Sequence, residues 1–201
     1  MIKYKTLAIG IDQSYKNVGI SISADGRLLK VKNIDLSKCK TKSEKRGVLR
    51  NKLSRLCVAV YGKAENYICV IERIRLRSQG FLNIDYIKSI GALNALIVDV
   101  LSEFGIEVYS VDTRCWKAQV VGSAKKESNR FGVPEEKWLT VQWCINQGFE
   151  ESILKKVEGR RTKGTFERNG IKFEYDNDAS DSAAISMFYF KGDKSKLKIE
   201  S

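Results

Sequence analysis

The segment Thr6–Asp12 (TLAIGID) constrains this chain most. It is an uninterrupted apolar run, rich in β-formers, that ends on an aspartate. A run this short between polar residues reads as a buried strand. Asn17–Ser23 then alternates, Val18, Ile20 and Ile22 against Gly19 and Ser21, and reads as a second strand. Asp25-Gly26 is a hairpin signal, and Arg27–Ile34 supplies a third strand. The chain therefore opens as a three-stranded antiparallel meander. The period changes after it. Ser43–Tyr61 places Val48, Leu49, Leu53, Leu56 and Val60 on one helical face, with a basic face opposite. Tyr67–Arg73 is a buried strand, and Asn83–Phe104 is a long amphipathic helix closed by Gly105. Glu107–Val111 is a short strand. Thr113–Val121, Pro134–Gln147 and Ala179–Tyr189 read as helices, with Pro134 at a favoured first-turn position. Strands that alternate with helices need right-handed crossovers, and hence a parallel portion of the sheet. The expected fold is α/β: a mixed five-stranded sheet, antiparallel meander plus parallel strands, flanked by helices on both faces.

A chain of 201 residues suits one domain, 1–201, with one long insertion. Residues 151–177 break the rhythm. They carry Lys155, Lys156, Arg160, Arg161, Lys163, Arg168 and Lys172, punctuated by Gly159, Gly164 and Gly170. Thr165–Phe166 and Ile171–Tyr175 around Asn169-Gly170 read as a hairpin within a mobile basic insertion. A solvated loop without contacts is the alternative.

Charge narrows the function. Thirty-six Lys and Arg against 24 Asp and Glu give a net charge of +12, which favours polyanions, nucleic acid above all. A solvated basic surface with no partner is the blander reading. There is no histidine, so the usual neutral-pH base and the commonest zinc ligand are both missing. The five cysteines are odd in number and lack CxxC spacing, which argues against zinc ribbons and disulfide frameworks. Cys57 and Cys69 sit in apolar runs and read as core. No apolar run has the length of a membrane span or signal peptide, so the expectation is a soluble, cytoplasmic protein without an organic cofactor.

Catalysis must then rest on carboxylates. Asp12 closes the first strand and Glu72 closes Cys69-Val70-Ile71-Glu72. Charged residues at the ends of buried strands lie at the sheet edge, where ligand sites of α/β folds gather. Singly, each is more often a strand terminator. Asp178 and Asp181 open the last helix three residues apart and share a face. One aspartate there serves the helix dipole; two on one face, after a third at Asp176, exceed that need. If the sheet brings the four together, like charge makes cations their natural partners. Hard oxygen donors select Mg²⁺, with Mn²⁺ able to substitute, and two such ions can hydrolyse a phosphodiester without histidine.

These residues carry a resemblance. Gly10-Ile11-Asp12-Gln13-Ser14 with Val18-Gly19-Ile20, then Ile71-Glu72, then Asp178-Ala179-Ser180-Asp181-Ser182-Ala183, is similar to the RuvC family of Holliday junction resolvases, of the ribonuclease H-like superfamily. That family has an aspartate on the first strand, a glutamate on the fourth and a D-x-x-D pair opening the last helix. Trp116–Lys126 also resembles a RuvC stretch with two lysines near the scissile strand. The resemblance implies a ribonuclease H-like fold and a Mg²⁺-dependent endonuclease that nicks four-way DNA junctions in symmetric pairs. The products implied carry 5′-phosphate and 3′-hydroxyl ends. The family's first loop has Pro-Gly where this chain has Gln13-Ser14, and 151–177 has no counterpart in the bacterial housekeeping pattern. Both departures point to a divergent, phage-type member.

By the same resemblance Asp12, Glu72, Asp178 and Asp181 hold two ions, and Lys117 with Lys125 or Lys126 meets phosphate or transition-state charge. Arg73, Arg75 and Arg77 share one parity of an extended segment and can line a DNA channel. Phe81 can stack on an unpaired base or anchor the following helix. Arg160, Arg161 and Lys163 add DNA contacts from the insertion. A two-fold junction asks for a C2 homodimer, and the apolar Ile84–Phe104 helix is either its surface or core. The rivals are another ribonuclease H-like nuclease acting on RNA–DNA hybrid or branched DNA, and a junction-binding protein that does not cut. Sugar-kinase and actin-like ATPase folds need two such domains, for which the chain is too short.

Overall fold

The computed structural model describes residues 2–74, 84–122, 135–158 and 165–200. The meander forms as expected: β1 (Tyr4–Gln13), β2 (Asn17–Ala24) and β3 (Arg27–Asp35) pair antiparallel. Asp25 and Gly26, at φ 47° and 80°, make the primed turn that suits strand twist. Helix α1 (Lys42–Val60) leads to β4 (Ala64–Glu72), which pairs parallel with β1. Helix α2 (Ile84–Glu103) leads to β5 (Glu107–Val111), parallel to β4. The sheet has six strands rather than five. A two-residue strand near the C-terminus, Lys198–Ile199, pairs antiparallel with β5 and gives the order β3-β2-β1-β4-β5-β9, this last strand being β9. Two residues carry no periodicity, so the sequence could not announce it.

Each face of the sheet has its own helices. Leu7, Ile9 and Ile11 of β1 share a parity and pack with Leu49 and Leu53 of α1 and Leu93 and Ile97 of α2. All seven are at most 1% exposed. Burying each such side chain contributes roughly 1.5–3 kcal/mol. The opposite parity, Ala8 with Ile68 and Val70, meets Ala184, Ile185 and Phe188 of α6 (Asn177–Lys191). Gly19, Ser21 and Ser23, the polar parity of β2, face α6 and not solvent: the Ser21 hydroxyl donates to Ser182 O at 2.7 Å, and Ser23 and Ser186 share a hydrogen bond of 2.6 Å.

Between β5 and α6 the chain forms α3 (Thr113–Trp116), a π-helical turn (Lys117–Val121), α4 (Glu135–Asn146) and α5 (Glu150–Ile153). The 151–177 region, expected as a basic insertion with a hairpin, is described except at 159–164. Its described residues form a small antiparallel sheet of β6 (Leu154–Lys156), β7 (Thr165–Arg168) and β8 (Ile171–Tyr175), in the order β6-β8-β7. The hairpin at Asn169-Gly170 is as expected, both residues having positive φ. Phe166 is fully buried, edge-on to Trp138 of α4 at 4.9 Å and stacked on Phe173 at 5.7 Å. An aromatic pair anchored on α4 therefore ties this sheet into a core of its own with Val141 and Cys144.

Candidate active site

Parity and register build the site. Asp12 has the parity of Ala8 and Gly10, so it projects toward α6. Glu72 has the parity of Ile68 and Val70 and projects the same way. Parallel pairing of Gly10 with Val70 and of Ile11 with Ile71 sets the two carboxylates at neighbouring strand ends. Helix α6 brings the other two. Its N-cap is Asp176, whose carboxylate accepts from Ala179 N at 2.9 Å and from the Asn33 amide at 2.6 Å. Asp178 and Asp181 follow in its first turns. The approach is close because two glycines allow it. A Cβ on Gly10 would stand 2.2 Å from Ser182 O, and one on Gly19 would stand 1.9 Å from Asp178 O. The helix backbone thus rests directly on the sheet backbone.

The four acids act on one another. Asp12 is raised well above the ordinary carboxylate range, first by burial and then by the charges of Asp181, Glu72 and Asp178; Lys117 offsets part of this. Burial pushes Asp181 up to about 7 against Lys117, with Glu72 adding to the rise. Burial and the neighbouring Asp176 push Asp178 up to about 6, against the Ser14 hydrogen bond and Lys137. Lys117 opens the π-helical turn, a feature frequent at functional sites. Its Nζ lies 3.9 Å from Asp181 Oδ2 and 5.1 Å from the Trp116 ring centroid.

Neutral donors orient the carboxylates. The Thr113 hydroxyl donates to Glu72 Oε1, and the Gln13 amide donates to Glu72 O. The Ser14 hydroxyl donates to Asp178 Oδ2 at 3.4 Å, and the Asn177 amide donates to Asp181 Oδ2 at 2.9 Å. Asp181 Oδ1 is buried without a hydrogen-bond partner, as is the hydroxyl of Thr140. Thr140 nevertheless lies near enough to lower Asp181. Sequence reasoning did not single out Ser14, Thr113, Lys137, Thr140 or Asn177. Small polar residues and one more lysine give no signal until the fold brings them to the acids.

Of the expected site residues, Asp12, Glu72, Asp178, Asp181 and Lys117 come together. Arg73 does not join them: its guanidinium turns to Ser110 on β5, with contacts of 3.4 Å to the hydroxyl and to the carbonyl. Arg75, Arg77, Phe81, Lys125, Lys126, Arg160, Arg161 and Lys163 lie outside the described residues. One face of α2 is core, with Ile90, Leu93, Ile97, Val100 and Leu101 buried, while Ile84 is exposed at its start. Burial pushes Cys57 up to about 11 and Cys144 up to about 12.

Solved structures share this arrangement of elements. RuvC of Thermus thermophilus, determined in complex with a Holliday junction substrate, matches with a TM-score of 0.61 over 97% of this chain and 99% of that one, at 14% identity. The fold is that of RuvC. A further Thermus thermophilus RuvC structure matches at 0.58 and 15% identity, over 96% of this chain and 99% of that one. The yeast mitochondrial Holliday junction resolvase Ydc2 matches at 0.52 and 14% identity, over 93% of this chain and 78% of that one. No family model and no curated protein matches the sequence. On this RuvC-like fold the donor set is all oxygen, self-repelling, and includes one buried carboxylate oxygen without a partner. That chemistry fits a hard divalent cation. Among the described residues no three Asp, Glu, Cys or His side chains are gathered closely enough to enclose an ion, so the acids form an electrostatic cluster rather than a finished cage.

Proposed function

We propose that this chain is a structure-selective endodeoxyribonuclease that resolves four-way DNA junctions by paired symmetric nicks. The observation that carries the reading is the convergence of Asp12, Glu72, Asp178, Asp181 and Lys117 at one sheet edge of a RuvC-like fold. The four carboxylates would hold Mg²⁺ or Mn²⁺, two ions per site, which would supply an activated water and charge neutralisation at the leaving oxygen. The chain's own groups do the rest. Thr113 fixes the Glu72 carboxylate, Ser14 that of Asp178 and Asn177 that of Asp181. Lys117, held beside Asp181, would meet the negative charge that grows on the phosphate. Arg73, Arg75, Arg77, Phe81, Lys125, Lys126, Arg160, Arg161 and Lys163 are proposed DNA contacts. Two copies in a C2 dimer would deliver the matched cuts.

A nicking assay on a synthetic four-way junction tests this, with linear duplex and RNA–DNA hybrid as controls and with Mg²⁺ present or withheld. Paired nicks in the junction alone, only with Mg²⁺, are expected. Cutting of the hybrid alone would move the protein to another ribonuclease H-like activity. Tight junction binding without cutting would make it a binding protein. Glu72→Ala should abolish cutting and keep or tighten binding; loss of both with the fold intact would overturn the site.

A further inference from the structure

The turn between β3 and α1 carries a charge pattern that the carboxylate site does not use. Lys38, Lys40 and Lys42 alternate along it, Arg46 follows one turn into α1, and all four are exposed. Among the described residues none of them forms an ion pair. The acids nearby are committed to backbone amides: Asp35 accepts from Ser37 N at 2.8 Å, and Glu44 accepts from Lys40 N at 2.8 Å. Helix α1 thus begins with Lys42, Lys45 and Arg46 against a single acid, Glu44. Cations in a first turn oppose the helix dipole, so stability alone does not favour this arrangement.

The turn is wired to the carboxylates. Leu36 N donates to Lys16 O at 2.7 Å. The buried Lys45 donates to Tyr15 O at 2.9 Å and lies 4.1 Å from the Tyr15 ring centroid. Ser14, next in line, touches Asp178. Three consecutive residues therefore join the basic turn to the acid cluster, at the end of the sheet where β1 and β4 both stop. We propose that Lys16, Lys38, Lys40, Lys42 and Arg46 form a phosphate-binding flank that grips the backbone of one duplex DNA arm as it leaves the site. This rests on the DNA-cutting reading above. Unpaired, exposed cations beside the acid cluster suit an arm whose backbone passes the site without entering it, and each neutralised phosphate releases counterion.

The test is junction affinity across a salt series, with the full chain and without divalent metal. The variant is Lys38→Gln/Lys40→Gln/Lys42→Gln. The control is Lys3→Gln/Lys5→Gln/Lys63→Gln, three exposed lysines at the opposite end of the sheet. Three lost phosphate contacts should make the slope of log K against log salt shallower by about 2.7, at ~0.9 per contact. The control should keep the parental slope. The flank variant should melt no lower than the parent, since Lys42 works against its helix. Should it melt lower, Lys38→Gln/Lys40→Gln leaves α1 intact and should still remove about 1.8 from the slope. An unchanged slope in the flank variants, or an equal change in the control, would overturn the flank while leaving junction cutting in place. An unmodified chain that binds no DNA at low salt would overturn the flank and the nuclease reading together.

Discussion

The Glu72 carboxylate takes its side-chain hydrogen bond from Thr113. A hydrogen bond to a charged group contributes about 1.5–3 kcal/mol, and tenfold in rate corresponds to about 1.4 kcal/mol. Thr113→Val should therefore slow junction nicking by roughly tenfold or more at unchanged junction affinity, while Thr113→Ser should restore it; separate single-turnover and binding titrations resolve the two. Protonation is set at the same scale. Asp178 and Asp181 are pushed up to about 6 and about 7, and Asp12 is raised as well. A carboxylate raised on folding holds its proton longer in the folded state, so its contribution to stability is full below the unfolded value near 4 and is lost as pH rises toward 7. The metal-free protein should accordingly melt lower at pH 7.5 than at pH 5, and Asp181→Asn should flatten that dependence and raise the melting temperature at pH 7.5. Each kcal/mol corresponds to about 2–4 °C at this chain length. Nicking has the opposite sign and should rise through pH 6–7, as the acids ionise. Asp12 and Glu72 were conspicuous in the sequence as charges at the ends of buried strands, and Asp178 and Asp181 as a pair on one face of an opening helix. Thr113 and Ser14 were not, since a lone hydroxyl has no meaning before its partner is placed.

At the scale of elements, the decisive contact is α6 on β1 and β2. Gly10→Ala or Gly19→Ala places a methyl inside a backbone atom's radius, with no flexible side chain to yield. Overpacking of this kind costs about 1–3 kcal/mol or more. Denaturant unfolding should show that loss, and nicking should fall further than stability explains, because Asp178 and Asp181 ride on the displaced helix. The small β6-β8-β7 sheet makes a separate prediction. Phe166→Ala should destabilise the protein by about 3–5 kcal/mol, the usual cost for a fully buried phenylalanine. A merely solvated loop would show no such effect. Periodicity announced the meander, the long helices and the Asn169-Gly170 hairpin. It missed what the small sheet does, because three-to-five-residue strands rich in lysine and arginine look solvated, and only their packing on Trp138 reveals a core.

For the whole molecule, the net charge of +12 stands against four acids gathered at one end of the sheet. On the proposed function, the excess would draw DNA in, and the acid cluster would repel the phosphate that must approach it. Asp12→Asn should therefore tighten junction binding a few-fold in chelator, an effect that saturating Mg²⁺ in the parent should mimic, as read by fluorescence titration; weaker binding in chelator would contradict the placement of Asp12 beside the scissile strand. Composition made the attraction legible, while the repulsion needed the fold, since the four acids come from three elements far apart in the chain. One contact described above then acquires a mechanical sense. Where α6 meets β1 at Gly10 and β2 at Gly19, two hydrogens stand in place of side chains, and backbone rests on backbone. The gap between the strand acids and the helix acids works as a fixed-jaw caliper, its setting held by those two backbone contacts. Its opening can change only if the helix moves as a whole.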